Sequence, residues 1–119
     1  MMTRLELLNA LINFNQPLSK ILPSLNTFKW DFEQELIILK RQHIIQILNR
    51  YLADELSVND IENWANGIES REDIGYEEND EDFLINIIYE LANPYLTQQL
   101  SVELAQQLQQ KLSDSTIFV

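Results

Sequence analysis

The side chains in this chain that could do chemistry are nearly all carboxylates. Nineteen Asp and Glu stand against eight Lys and Arg, with one histidine and no cysteine. The absence of cysteine excludes disulfides, thiolate nucleophiles and Cys-type metal sites. His43 is the only histidine. A zinc centre of the Cys/His type needs more ligands than it can supply, and no serine or cysteine beside it offers a nucleophile for it to activate. It reads as a packed or surface residue. The only two glycines, Gly67 and Gly75, cannot build a loop that cradles phosphates.

The carboxylates concentrate between residues 69 and 82. Glu69, Glu72, Asp73, Glu77, Glu78, Asp80, Glu81 and Asp82 share this stretch with a single arginine, Arg71. Asp73-Ile74-Gly75-Tyr76-Glu77 lacks the alternating oxygen ligands and the closing glutamate of an EF-hand loop. A looser divalent-cation site could draw on Asp73, Glu77, Asp80 or Asp82. Glu77-Glu78-Asn79-Asp80-Glu81 also spells E-E-x-x-E, which resembles the first metal-binding element of the all-α nucleotide pyrophosphohydrolases. That family adds an E-x-x-D on a following helix, whereas Glu90-Leu91-Ala92-Asn93 ends in asparagine and follows too closely. A metal site needs its complete ligand set, and this half of the chain has few cations to hold a triphosphate. The expectation is a protein that is not an enzyme and carries no metal or cofactor, with a Mg²⁺-dependent pyrophosphohydrolase-like activity as the alternative.

The net charge of −11 is unevenly placed. Residues 1–50 hold six Lys/Arg against four Asp/Glu, a balance of +2, while residues 51–119 hold two against fifteen, a balance of −13. The second half should repel nucleic acid and anionic lipid and attract basic protein surfaces. Charge runs are commonly no more than solvated loops that keep a domain soluble. This one contains Ile74, Gly75 and Tyr76 and lies between two patterned helices. Glu72, Asp73, Tyr76, Glu77, Glu78 and Asp80 are therefore candidate contacts for a basic partner, carboxylates steering and an aromatic anchoring. Arg71 should satisfy its neighbours, pairing with Glu72 or Glu69 or bridging to Glu90.

These residues must be positioned by helices. A length of 119 residues with 45% apolar and 23% charged residues suits one domain, 1–119, with one core. Two glycines and three prolines are too few for the frequent turns of an all-β fold. Leu5, Leu8, Ala10, Leu11, Ile12 and Phe14 fall mostly on one helical face, in a segment that ends at Pro17. Pro17 opens a second piece through Leu18, Ile21 and Leu22, closing around Pro23. Phe28, Trp30 and Phe32 alternate with Lys29 and Asp31, and read as an extended connector. Leu36-Ile37-Ile38-Leu39 is β-prone, but a helix that covers Lys40 to Asp54 could begin as early as Asp31. Ser57 caps the next helix, with Ile61, Trp64, Ala65 and Ile68 as its buried stripe. Asp80 or Asp82 caps the following one, which carries Phe83, Leu84, Ile87, Ile88 and Leu91 inward and stops at Asn93-Pro94. Ser101 caps the last helix, with Val102, Leu104, Ala105, Leu108 and Leu112. The fold class expected is all-α, an irregular or orthogonal bundle of about five helices. No run of 18 apolar residues and no signal-type segment is visible, so a soluble, cytoplasmic protein is expected, with no membrane partner.

One resemblance adds to this. Arg50-Tyr51-Leu52-Ala53, Glu55-Leu56-Ser57, Trp64-Ala65-Asn66, Ile68-Glu69, Arg71-Glu72-Asp73-Ile74, Tyr76-Glu77 and Glu90-Leu91-Ala92-Asn93-Pro94 resemble stretches of small acidic all-helical bacterial proteins. Some of these look like immunity proteins of contact-dependent growth inhibition and other polymorphic toxin systems. The resemblance implies a protein that binds a cognate toxin domain, often a nuclease, and covers its active site or substrate groove. A regulatory or structural subunit joined through Ile117, Phe118 and Val119 is a further alternative.

Overall fold

The computed structural model describes residues 2–28, 35–69 and 71–113. In chain order the elements are α1 (Arg4–Asn13), α2 (Leu18–Leu25), β1 (Ile37–Leu39), α3 (Arg41–Leu52), α4 (Val58–Glu69), β2 (Ile74–Tyr76), α5 (Glu81–Ala92) and α6 (Val102–Ser113). The fold is mostly helical, but the expectation of about five helices and no sheet needs correction. Among the described residues, six helices accompany a two-stranded parallel sheet. Its register pairs Ile37 with Ile74, Ile38 with Gly75 and Leu39 with Tyr76. The Leu36 N–H donating to the Asp73 carbonyl (2.8 Å) and the Glu77 N–H donating to the Leu39 carbonyl (3.0 Å) extend the ladder at each end. Parallel strands need a long crossover, which α3 and α4 supply.

The β-prone run at 36–39 is thus strand over Ile37–Leu39, and α3 begins after it at Arg41. The proposed extended connector through Trp30 and Phe32, and the alternative helix start at Asp31, fall on 29–34, outside the described residues. The apolar tail beyond Ser113 lies outside them as well.

Local chemistry sets most helix ends. Thr3 and Glu6 form a reciprocal capping box on α1, Glu6 N–H to Thr3 Oγ1 at 3.1 Å and Thr3 N–H to Glu6 Oε1 at 2.9 Å. Ser57 and Asp60 do the same for α4, at 3.1 and 2.9 Å. The Ser101 hydroxyl accepts from Leu104 N–H at the start of α6. His43 has a capping role too, its Nδ1 accepting from Lys40 N–H at 2.9 Å. Burial and the charge of Lys40 lower its pKa, which suits the neutral acceptor form. Pro23 does not close α2; the helix runs through it to Leu25. An interior proline costs about 3 kcal/mol, and full burial of Ile21 and Leu25 returns about 1.5 to 3 kcal/mol each.

Every element contributes to one core. Trp64 of α4 is fully buried, and its Nε1–H donates to the Leu11 carbonyl of α1 at 2.7 Å. This bond satisfies the indole's only donor and fastens α4 to α1. The packing of α4 on α5 and of α3 on α6 completes the bundle. No helix among the described residues is long and apolar enough to cross a membrane.

Candidate functional site

Between α4 and α5, residues 71–80 of the acidic segment form a turn, the strand β2 and a second turn. Its carboxylates divide between internal pairs and open surface. Asp73 is fully buried. Arg71 grips it with two bonds, Nε to Oδ1 at 2.9 Å and Nη2 to Oδ2 at 2.8 Å, and Arg4 of α1 adds Nε to Oδ2 at 2.9 Å. Burial pushes the carboxyl pKa up, but the hydrogen bonds from Arg71 and then Arg4 outweigh it and hold the group below the usual range. Arg71 does play the internal role expected of it, with Asp73 as its partner in place of Glu72, Glu69 or Glu90.

Asp80 occupies the residue before α5, but its carboxylate makes no cap bond. It is held by Arg41 of α3 in a bidentate pair, Nε to Oδ2 at 2.9 Å and Nη2 to Oδ1 at 2.8 Å. The hydrogen bond from Arg41 lowers its pKa. The same guanidinium lies 4.5 Å from the Phe83 ring centroid and donates to the Lys111 and Leu112 carbonyls at the end of α6. A planar fork with several donors can serve this many acceptors at once. Tyr76 is the last residue of β2 and half-buried; burial and the charge of Glu69 push its hydroxyl pKa up to about 12. Glu77, partly covered, sits 4.0 Å from the exposed Lys40, an ion pair of small energetic weight.

Glu72 and Glu78 remain. Both are exposed, and neither makes an ion pair or a side-chain hydrogen bond among the described residues. Of the six candidate contacts, then, Asp73 and Asp80 are engaged in internal pairs, Tyr76 is built into the sheet, and Glu77 is half-covered. Glu72 and Glu78 offer open charge. Two of the four donors considered for a looser cation site, Asp73 and Asp80, face arginines, and no three Asp, Glu, His or Cys side chains converge among the described residues.

Open charge continues past the segment. Glu81 and Asp82, in the first turn of α5, are exposed and likewise free of ion pairs among the described residues. Along α5, Leu84, Ile87, Ile88, Leu91 and Ala92 are buried while Ile85 and Tyr89 are 43% and 42% exposed. The turn after the helix carries Tyr95 and Leu96, 95% and 71% exposed. Sequence reasoning missed these four. The signal was present: Ile85 and Tyr89 are apolar residues one turn apart that fall off the buried stripe.

Larger hollows among the described residues lie beside α2. A groove of about 680 Å³ between α2 and α4 is lined by Leu18, Leu22, Asn26, Asn63, Asn66 and Arg71. A smaller one, about 380 Å³, is bounded by Met2, Leu7, Lys20, Ile21 and Phe28. Neither brings together groups able to perform a reaction.

Compared with known protein families, with curated proteins and with solved structures, the chain finds no match in any of the three.

Proposed function

We propose that the chain is a non-catalytic protein-binding module that captures a basic protein partner, with an immunity protein neutralising a toxin domain as the leading specific case. The observation that carries this reading is the disposition of charge. All four arginines, Arg4, Arg41, Arg50 and Arg71, are committed to ion pairs with the chain's own carboxylates. Glu72, Glu78, Glu81 and Asp82, close together in sequence, are exposed and make no ion pair among the described residues. Carboxylates without local counter-charges steer a cationic partner and compete with phosphate for it, which suits inhibition of a nuclease. The resemblance of residues 50–94 to immunity proteins points the same way, and a cytoplasmic location fits such a role. The hydrolase alternative gains nothing from the geometry, because Asp73 and Asp80 already face arginines.

The test is to purify the protein with its partner from the native cell, identify the partner, and follow association across a salt series. A steered complex should lose roughly ten-fold or more in association rate between low and high salt, and Glu78→Lys should reproduce much of that loss at low salt. A salt-independent rate, unmoved by Glu78→Lys and Glu72→Lys, sinks the electrostatic reading.

A further inference from the structure

The unspent carboxylates adjoin an unspent apolar surface. α5 spends five residues on the core, yet at the complementary spacing of i, i+3, i+4 and i+7 it carries Asp82, Ile85, Asn86 and Tyr89. Ile85 and Tyr89 stand one helical turn apart, within reach of each other on the outer face, and each keeps more than two-fifths of its surface in water. Other exposed apolar residues, Leu5, Ile38 and Val102, belong to three different elements; single scattered cases of this kind are ordinary. Ile85 and Tyr89 differ because they form a pair. They also differ in their surroundings, with Glu78, Glu81 and Asp82 at one end and the exposed Tyr95 and Leu96 just beyond the other.

An apolar centre with a charged margin is the anatomy of a protein interface, in which the centre supplies the residence time and the margin the approach. The sign of the margin selects the occupant. A second copy would bring two carboxylate-rich margins together, each on a chain of net charge −11, and like charges across an interface are penalised. Anionic lipid and nucleic acid are repelled for the same reason. We infer that the outer face of α5, centred on Ile85 and Tyr89 and bordered by Glu78, Glu81 and Asp82, is the surface that holds the partner, and that the partner offers a basic patch ringing an apolar side chain. This rests on the proposed capture of a basic protein and adds a division of labour: the open carboxylates bring the partner in, and α5 keeps it.

The test uses the isotope-labelled full chain and two probes, an amphipathic Lys/Leu helical peptide and an oligolysine of equal charge. The peptide should shift backbone signals of residues 82–96 and the Ile85 methyls, and bind at least ten-fold more tightly than oligolysine. Ile85→Ser combined with Tyr89→Ser should cost the peptide at least ten-fold in affinity, mainly through faster dissociation, and leave oligolysine binding unchanged. Asp82→Lys should mainly slow association. Ile85 and Tyr89 contribute little to the core, so the double variant should keep the wild-type spectrum elsewhere. Equal binding of the two probes, shifts in the α2–α4 groove, or a double variant that binds the peptide like the wild type overturns the assignment to α5 while leaving acidic capture standing. No binding of either probe at low salt overturns both. Sedimentation showing a dimer that Ile85→Arg dissolves makes a second copy the occupant and overturns the basic-partner assignment.

Discussion

Asp73 and Glu78 stand five positions apart in one acidic run, yet they belong to different parts of the molecule's physics. Asp73 is sealed from water between two guanidinium groups. Glu78 lies on an exposed turn with no counter-charge among the described residues. The first is a fastener that joins the start of α1 to the entrance of β2, and the second is surface charge available to a partner. Composition gives both the same weight; burial separates them. A carboxylate cluster can thus be half scaffold and half potential interface, and the cations elsewhere in the chain decide which half each residue joins.

Substitutions that treat the two kinds alike should expose the difference. Asp73→Asn should have the largest effect, because it leaves two nearly buried guanidinium groups facing a neutral amide. Breaking a buried pair from one side costs about 3 to 5 kcal/mol, measurable by chemical denaturation, and a loss comparable to that of a surface variant would show that Arg4 and Arg71 find other partners. The pH response should follow. The Asp73 pKa lies below its unfolded value, so the unfolded chain binds the proton more readily. The stabilisation from Asp73 is therefore complete above the unfolded pKa of about 4 and is lost as pH falls through the lower folded value. Wild-type stability should drop across that acid window, and the Asp73→Asn variant, already weakened, should lack this part of the drop.

Asp80→Asn should cost less, about 1.5 to 3 kcal/mol for a hydrogen bond to a charged group, because Arg41 keeps its bonds to the α6 carbonyls and its place over Phe83. An effect as large as that of Asp73→Asn would mean that this partly exposed pair matters as much as the buried one. Glu72→Gln and Glu78→Gln should lie within about 0.5 kcal/mol of wild type in thermal or chemical unfolding, while slowing association with a basic partner. A larger loss of stability at either would place it with the fasteners and erase the contrast.

The local parts of this architecture were legible in the sequence. Ile61, Trp64, Ala65 and Ile68 recur at helical spacing and are all buried, and Ser57 and Ser101 cap where their hydroxyls allow. What could not be read depends on partners distant in the chain. The parallel pairing of Ile37 with Ile74 joins two three-residue strands across α3 and α4, and strands that short carry no alternation to recognise. Ile74 sits amid carboxylates and looks like part of a polar turn, yet it is 3% exposed because that pairing draws it inward. The Asp73–Arg4 bond spans 69 residues of sequence. Asp80 shows a local rule overruled, since a carboxylate at a helix start normally accepts from the first turn, but Arg41 offers it two charge-assisted bonds. As for the candidate site, the sequence located its charge. It did not reveal which charges were already paired, whereas the outward position of Ile85 and Tyr89 was legible in their spacing off the buried stripe.

Arg41 has a consequence for how the molecule breathes. Through one guanidinium it touches Asp80 at the entrance to α5 and the last carbonyls of α6, while its own backbone begins α3. Helix ends ordinarily fray independently, each amide exchanging its hydrogen with solvent at its own low opening energy. Here the closing turn of α6 cannot let go without unseating the side chain that also anchors the opening turn of α5. The two ends should exchange as one cooperative unit.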